Sequence, residues 1–284
     1  MAKKVLIIGE SGTGKSASMR NFAKDDIFII NVAAKDLPFR EPKGGFEKLS
    51  TDNYREIKKA IQATKKKVIV IDDTQYLMAN EYMRRATEKG FDKYTEMAQN
   101  MWDLQQTINA LPNDVIVYEL SHLERDDRGN ERAKTIGKLM NEKITFEGMF
   151  SIVLKAVVQD GKYYFQTQNN GADTCKSPIG LFKTFLIDND LKAVDAAIRA
   201  YYDLNDDRDG EMITEPAPEL FQPVPAKEKS IAEKLADFKN NEPGSEDLPK
   251  RKVRSAEIEA PAPQPETSEE AAVPVRRRRR IINE

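Results

Sequence analysis

Eight consecutive residues, Gly9-Glu10-Ser11-Gly12-Thr13-Gly14-Lys15-Ser16, carry the densest chemistry in this 284-residue chain. They fit the pattern GxxxxGK[ST], in which each residue type has a physical task. The glycines let the loop curl so that successive backbone N–H groups converge on phosphate oxygens. Lys15 supplies an ammonium for the β- and γ-phosphates, and the Ser16 hydroxyl supplies an oxygen ligand for Mg²⁺. The cradle extends from Gly9 through Ala17, so the expected ligands are ATP and Mg²⁺. A glycine-rich turn without a ligand is the plainer alternative. It is disfavoured because an apolar run, Val5-Leu6-Ile7-Ile8, leads into the loop and a helix-forming stretch leads out of it.

A second constellation lies further on. Val68-Ile69-Val70-Ile71 runs into Asp72-Asp73. Four β-branched residues ending in acids describe a buried strand with carboxylates at its C-terminal edge, where ligands of parallel α/β sheets collect. Asp72 is the candidate for holding Mg²⁺, the Walker B role, and Asp73 for orienting the attacking water. The competing reading is an ordinary cap for a following helix. His122, the sole histidine, ends the run Val115 to Ser121, which reads as another strand with its polar end at the same edge. A lone histidine is more often a packed or solvated residue. Its position nonetheless makes it the candidate sensor of the γ-phosphate.

These groups have to be positioned by alternating strands and helices. The spacing predicts a helix over 17–24 with Met19, Phe22 and Ala23 inward, and a strand over 27–32. An extended loop follows over 35–42, set by Pro38 and Pro42. Thr51-Asp52-Asn53 is a cap for a helix running to about Thr64, with Tyr54, Ile57, Lys58 and Ile61 at helical spacing. Helices are expected over 79–89 and 94–111, the latter with Met97, Met101, Leu104, Ile108 and Leu111 on one core stripe and Trp102 beside it. The charged segment 124–131 reads as a mobile loop and 136–142 as a short helix. Strands over 152–158 and 162–167, separated by Gln159-Asp160-Gly161, form a hairpin. The segment 171–182 reads as an irregular loop, and 191–202 as the last helix.

With 45 Lys+Arg against 47 Asp+Glu, the formal net charge is −2. The body therefore lacks the basic excess that announces nucleic-acid binding. One cysteine, Cys175, excludes an internal disulfide or a cysteine zinc cluster. No apolar run approaches a membrane span. A protein of the cytoplasm, without a membrane partner, is expected. Beyond about 205 the composition turns rich in Pro, Glu, Lys and Arg, which reads as a disordered tail. Two organised stretches stand out in it: an amphipathic helix near 229–239, with Ile231, Leu235 and Phe238 on one face, and the run Arg276 to Arg280. The expected division is an ATPase domain over 1–205 and a tail over 206–284.

Taken together, Gly9 to Ser16, Lys35-Asp36-Leu37-Pro38-Phe39, Val68 to Asp73 and Val117 to Glu124 resemble the phage-encoded RecA-like P-loop (AAA-type) ATPases, near the Sak-type single-strand annealing ATPases. The resemblance covers roughly 1–205. It implies an α/β P-loop NTPase fold, with a RecA-like, mostly parallel sheet flanked by helices and a C-terminal β-hairpin extension. It also implies a homo-oligomer with ATP between subunits, a role in phage DNA recombination or replication, single-stranded DNA as a partner, and the host bacterial cytoplasm as the site of action. Phage or host replication and recombination proteins would meet the tail. In such relatives the strand after Walker B often ends in a histidine, as at His122. Two departures stand out. Asp73 takes the place where many oligomeric ATPases carry Glu, and no arginine finger matches, which leaves Lys176, Arg125 and Arg128 as candidate trans-acting cations. An Mg²⁺-dependent ATPase is the leading expectation. The alternatives are a nucleotide-gated adaptor with little turnover, or a small-molecule kinase using Arg125, Arg128 and Arg132.

Overall fold

A strand buried on both faces belongs in the middle of a sheet, and β1 (Lys3–Gly9) is built that way, with Val5, Leu6, Ile7 and Ile8 wholly enclosed. The computed structural model describes residues 1–204, apart from the side chains at 141 and 142. The expected tail, its amphipathic helix and its arginine run lie outside the described residues. After β1 come β2 (Ile27–Asn31), β3 (Glu47–Leu49), α1 (Tyr54–Ala63), β4 (Val68–Asp72), α2 (Gln75–Arg84) and α3 (Asp92–Asn109). Next are β5 (Ile116–Arg125), β6 (Glu131–Ala133), β7 (Ile152–Gln159), β8 (Lys162–Gln166), β9 (Leu186–Asp188) and α4 (Leu191–Tyr201).

The sheet runs β3-β2-β4-β5-β1-β7-β8-β9. Every pairing from β3 to β7 is parallel, and β8 and β9 add on antiparallel. Alternate side chains serve opposite faces. Leu6 and Ile8 join the core beneath α1, α2 and α3, whereas Val5 and Ile7 join Met19, Phe22 and the apolar stripe of α4. This is the mixed α/β sheet, mostly parallel and flanked by helices, of a P-loop NTPase with RecA-like architecture. β5 stands between β1 and β4, so the glycine-rich loop and the two aspartates are separated by one strand whose end carries His122.

Local chemistry explains most element boundaries. Asn53 caps α1 by accepting from the N–H groups of Arg55 (2.9 Å) and Glu56 (3.4 Å). Asp190 caps α4 through Lys192 (3.0 Å) and Ala193 (3.3 Å). The hairpin between β7 and β8 turns on Asp160 and Gly161, both at positive φ (51° and 73°).

Several expectations change. The helix expected over 17–24 is a single 3₁₀ segment, Ser16–Asn21, and Ala23 is exposed. Asp26 accepts from the Ala23 N–H at 2.8 Å and turns the chain into β2 two residues after the segment ends at Asn21. The loop therefore gains little from a helix macrodipole. The helix expected from Ala79 begins at Gln75, because Asp73 at φ 63° reverses the chain immediately after β4. Within 124–131 the loop is confined to 126–130: β5 continues to Arg125 and pairs antiparallel with β6, which begins at Glu131. Arg132 reaches Glu124 (3.0 Å) and Arg125 reaches Glu131 (3.0 Å), so the charges that suggested a loop are cross-strand partners. The short helix of 136–142 is displaced to one wide turn, Leu139–Ile144. The Met97 to Leu111 stripe is core, but Trp102 is 43% exposed. The three-residue strands β3 and β9 fall in segments for which the sequence predicts no element.

Candidate nucleotide site

The glycine-rich loop joins the C-terminal end of β1 to the 3₁₀ segment, and its glycines are dictated by geometry. Gly14 sits at φ 88°, and a Cβ there would lie 2.9 Å from the ring of Tyr163 and 3.3 Å from the amide of Asn189. At Gly9 a Cβ would meet the Thr13 hydroxyl at 2.6 Å. The loop closes on itself through Thr13, whose hydroxyl donates to the Glu10 carbonyl at 2.8 Å. Above Gly12, by contrast, there is open space: a methyl group there would have no neighbour within 4 Å. A cleft of about 380 Å³ opens there, lined by Ser11, Lys15, Ser16, Asp73 and His122 among others.

Lys15 is buried and donates to the carbonyls of Gly9 (2.9 Å) and Glu10 (2.8 Å). Burial pulls its ammonium down to about 8, against the opposing attraction of Asp73 and Asp72. The Ser16 hydroxyl donates to Asp72 Oδ1 at 2.9 Å. Burial pushes the Asp72 carboxyl up to about 6; the charge of Asp73 adds to this and the Ser16 bond opposes it. A hydroxyl and a carboxylate oxygen in contact at the mouth of the loop are the hard oxygen donors that Mg²⁺ takes from P-loop proteins. This donor set fits the ion.

Asp73 is buried on the same side. Lys35 forms an ion pair with its Oδ2, and His122 Nε2 lies 3.5 Å from its Oδ1. Burial raises the Asp73 carboxyl, but the bonds from His122 and Lys35 outweigh it and hold the group at about 2. His122 is fixed from behind: its backbone N–H donates to Gln75 Oε1 at 3.1 Å, and its ring meets that of Tyr76 edge-on at 6.4 Å. The structure thus brings Lys15, Ser16, Asp72, Asp73 and His122 to one sheet edge. Arg125, Arg128 and Lys176 are not among the residues lining the cleft. Arg125 pairs instead with Glu10 of the loop (3.1 Å) and with Glu131.

Three residues of the cleft had no assigned role in the sequence, although two of them, Lys35 and Pro38, fall in a stretch that bears the family resemblance. Lys35 and Pro38 belong to the extended loop after β2, and Tyr163 reaches in from β8. Gln75, outside the cleft lining, also had no assigned role, and its side-chain oxygen holds the His122 backbone N–H. The Asp160-Gly161 turn placed Tyr163 near the start of β8, but only the fold brings its ring against Gly14.

Among protein families, the one described as an AAA domain matches residues 1–179. No curated protein matches the chain. The match spans the whole run from the glycine-rich loop through Asp72, His122 and Tyr163, and the chain belongs to the AAA-domain family, as a P-loop ATPase of AAA type.

Proposed function

We propose that this protein binds ATP with Mg²⁺ and hydrolyses it. The observation that carries the reading is the 2.9 Å contact between the Ser16 hydroxyl and Asp72, which joins the end of the phosphate loop to the acid of β4. Lys15 and the loop N–H groups would neutralise the β- and γ-phosphates, and Ser16 and Asp72 would hold the ion. Mg²⁺ bound there would offset the charge of the transferring phosphoryl group. Asp73 would align a water for in-line attack. The water oxygen forms a bond to the γ-phosphorus, the bond to the ADP oxygen breaks, and the water's proton leaves with the phosphate or to solvent. The Asp73 carboxylate, an acceptor at the cleft beside His122, has the orientation of that water as its task. His122 would sense the γ-phosphate.

Phosphate release measured on the full chain tests this. Lys15→Ala and Asp72→Ala should each lower turnover by roughly 100-fold or more. Unchanged release in both variants would remove the assignment. The pinning of Asp73 by Lys35 and His122 favours a second reading, a nucleotide-gated binding protein that turns over slowly. Tight ATP binding without turnover, with single-stranded DNA present or absent, would select it. In keeping with the family resemblance, we place the activity in phage-type DNA recombination or replication, with ATP regulating the hold on single-stranded DNA, in a homo-oligomer. That assignment rests on analogy and on the arginine run of 276–280, not on site geometry.

A further inference from the structure

The loop after β2 delivers one more cation to the cleft. Lys35 has its backbone clamped: its N–H donates to Asn31 Oδ1 at 3.2 Å, and its carbonyl accepts from Asn31 Nδ2 at 2.6 Å. Asn31 is itself buried at the end of β2, in register with Asp72. The side chain is different. It is 57% exposed, lines the cleft with Lys15, Ser16 and His122, and ends on Asp73 Oδ2. The other oxygen of Asp73 faces His122. Both oxygens that would have to receive a water are therefore covered by nitrogen, one of them on a long, solvated arm with a fixed root. An ammonium on such an arm has two anionic partners within the same cleft, the Asp73 carboxylate and the terminal phosphate of a bound triphosphate. The phosphate carries more charge and more acceptor oxygens.

We propose that Lys35 is a cis-acting switch cation that exchanges Asp73 for the γ-phosphate, so that the same movement reads the nucleotide and uncovers Asp73 for water. This rests on the ATP-binding reading above. It makes Asp73 a competitor of ATP for one ammonium, and it makes Lys35 a discriminator between ATP and ADP.

The test is equilibrium binding of a non-hydrolysable ATP analogue and of ADP, each with Mg²⁺, to the full chain by calorimetry. Lys35→Met should weaken the ATP analogue roughly tenfold and leave ADP nearly unchanged. Lys35→Arg should retain most of the preference. Asp73→Asn should tighten the ATP analogue severalfold, and Lys35→Met/Asp73→Asn should lose most of that gain, the non-additivity that marks a shared partner. In the unsubstituted chain, lysine acetylation followed by peptide mass spectrometry should show Lys35 protected by the ATP analogue more than by ADP. Equal losses for both nucleotides in Lys35→Met, an unaltered gain in the double variant, or Lys35 labelling indifferent to the γ-phosphate would overturn the switch while leaving the ATP site standing. An unsubstituted chain that binds neither nucleotide would overturn both.

Discussion

At the scale of single residues, the site is built from groups held away from their ordinary ionisation. Asp72 is the clearest case, because its function opposes its stability. A carboxyl moved from 3.8 to about 6 by burial has its charged form disfavoured in the folded chain. The folded protein then binds more protons than the unfolded one between those values, so this group adds stability as pH falls and costs up to about 3 kcal/mol at neutral pH. Asp72→Asn keeps an oxygen for the Ser16 hydroxyl and removes the charge. Its Tm at pH 7.5 should rise by roughly 5 °C, with the gain shrinking below pH 6, while phosphate release is lost. Scanning calorimetry across pH checks this, and a lowered Tm at pH 7.5 would contradict it. Asp73 behaves oppositely: its carboxyl, held at about 2, contributes stability above its usual range that is lost only as pH falls towards 2. Two adjacent acids from one strand end thus divide into a costly one and a stabilising one. Their identity was legible in the run Val68 to Asp73, but this division was not, because it depends on Lys35 arriving from the loop after β2 and His122 from β5.

At the scale of elements, β5 joins site and core. His122 ends its buried stretch at the cleft, and Glu119, three residues earlier, points into the core beneath α3. Glu119 is fully enclosed, accepts from Gln105 Nε2 at 2.7 Å, and leaves its second oxygen without a partner. Burial pushes its carboxyl up to about 7, against the Gln105 bond and the nearby Lys4 charge. Stability should therefore climb as pH drops from about 7 towards 4.5. Glu119→Gln should flatten part of that slope in a thermal-melt series; a slope identical to the unsubstituted chain would show that the charge lies elsewhere. Most strands could be read from the sequence because a double-faced burial leaves nearly unbroken apolar runs, as in Val5 to Ile8 and Val68 to Ile71. The 3₁₀ segment after Lys15 could not, since its brevity is set by Asp26 reaching back to Ala23. The β5–β6 hairpin was hidden for a related reason. Its charges look like solvent-loving loop residues until Glu124 and Glu131 are seen opposite Arg132 and Arg125 across the two strands.

At the scale of the whole molecule, the described residues contain no helix long and apolar enough to cross a membrane. The near-equal numbers of acids and bases leave any DNA affinity to local charge. If single-stranded DNA is held through Arg276 to Arg280, its apparent association constant should fall steeply between 50 and 200 mM salt on the order of powers of ten. Deleting those five arginines should reduce the salt slope, as read by fluorescence anisotropy. Binding that is flat in salt, or unaltered by the deletion, would dismiss the role. The sheet order has one more consequence, and it concerns biosynthesis. β1 pairs with β5 at Lys3↔Ile116 and with β7 at Val5↔Ile152. A ribosome adding roughly 5–20 residues per second leaves this greasy strand without its neighbours for on the order of ten seconds. During that interval the nascent chain displays Val5 to Ile8 beside an unfinished phosphate loop, which makes that stretch a natural landing point for a chaperone and the place where misassembly would begin.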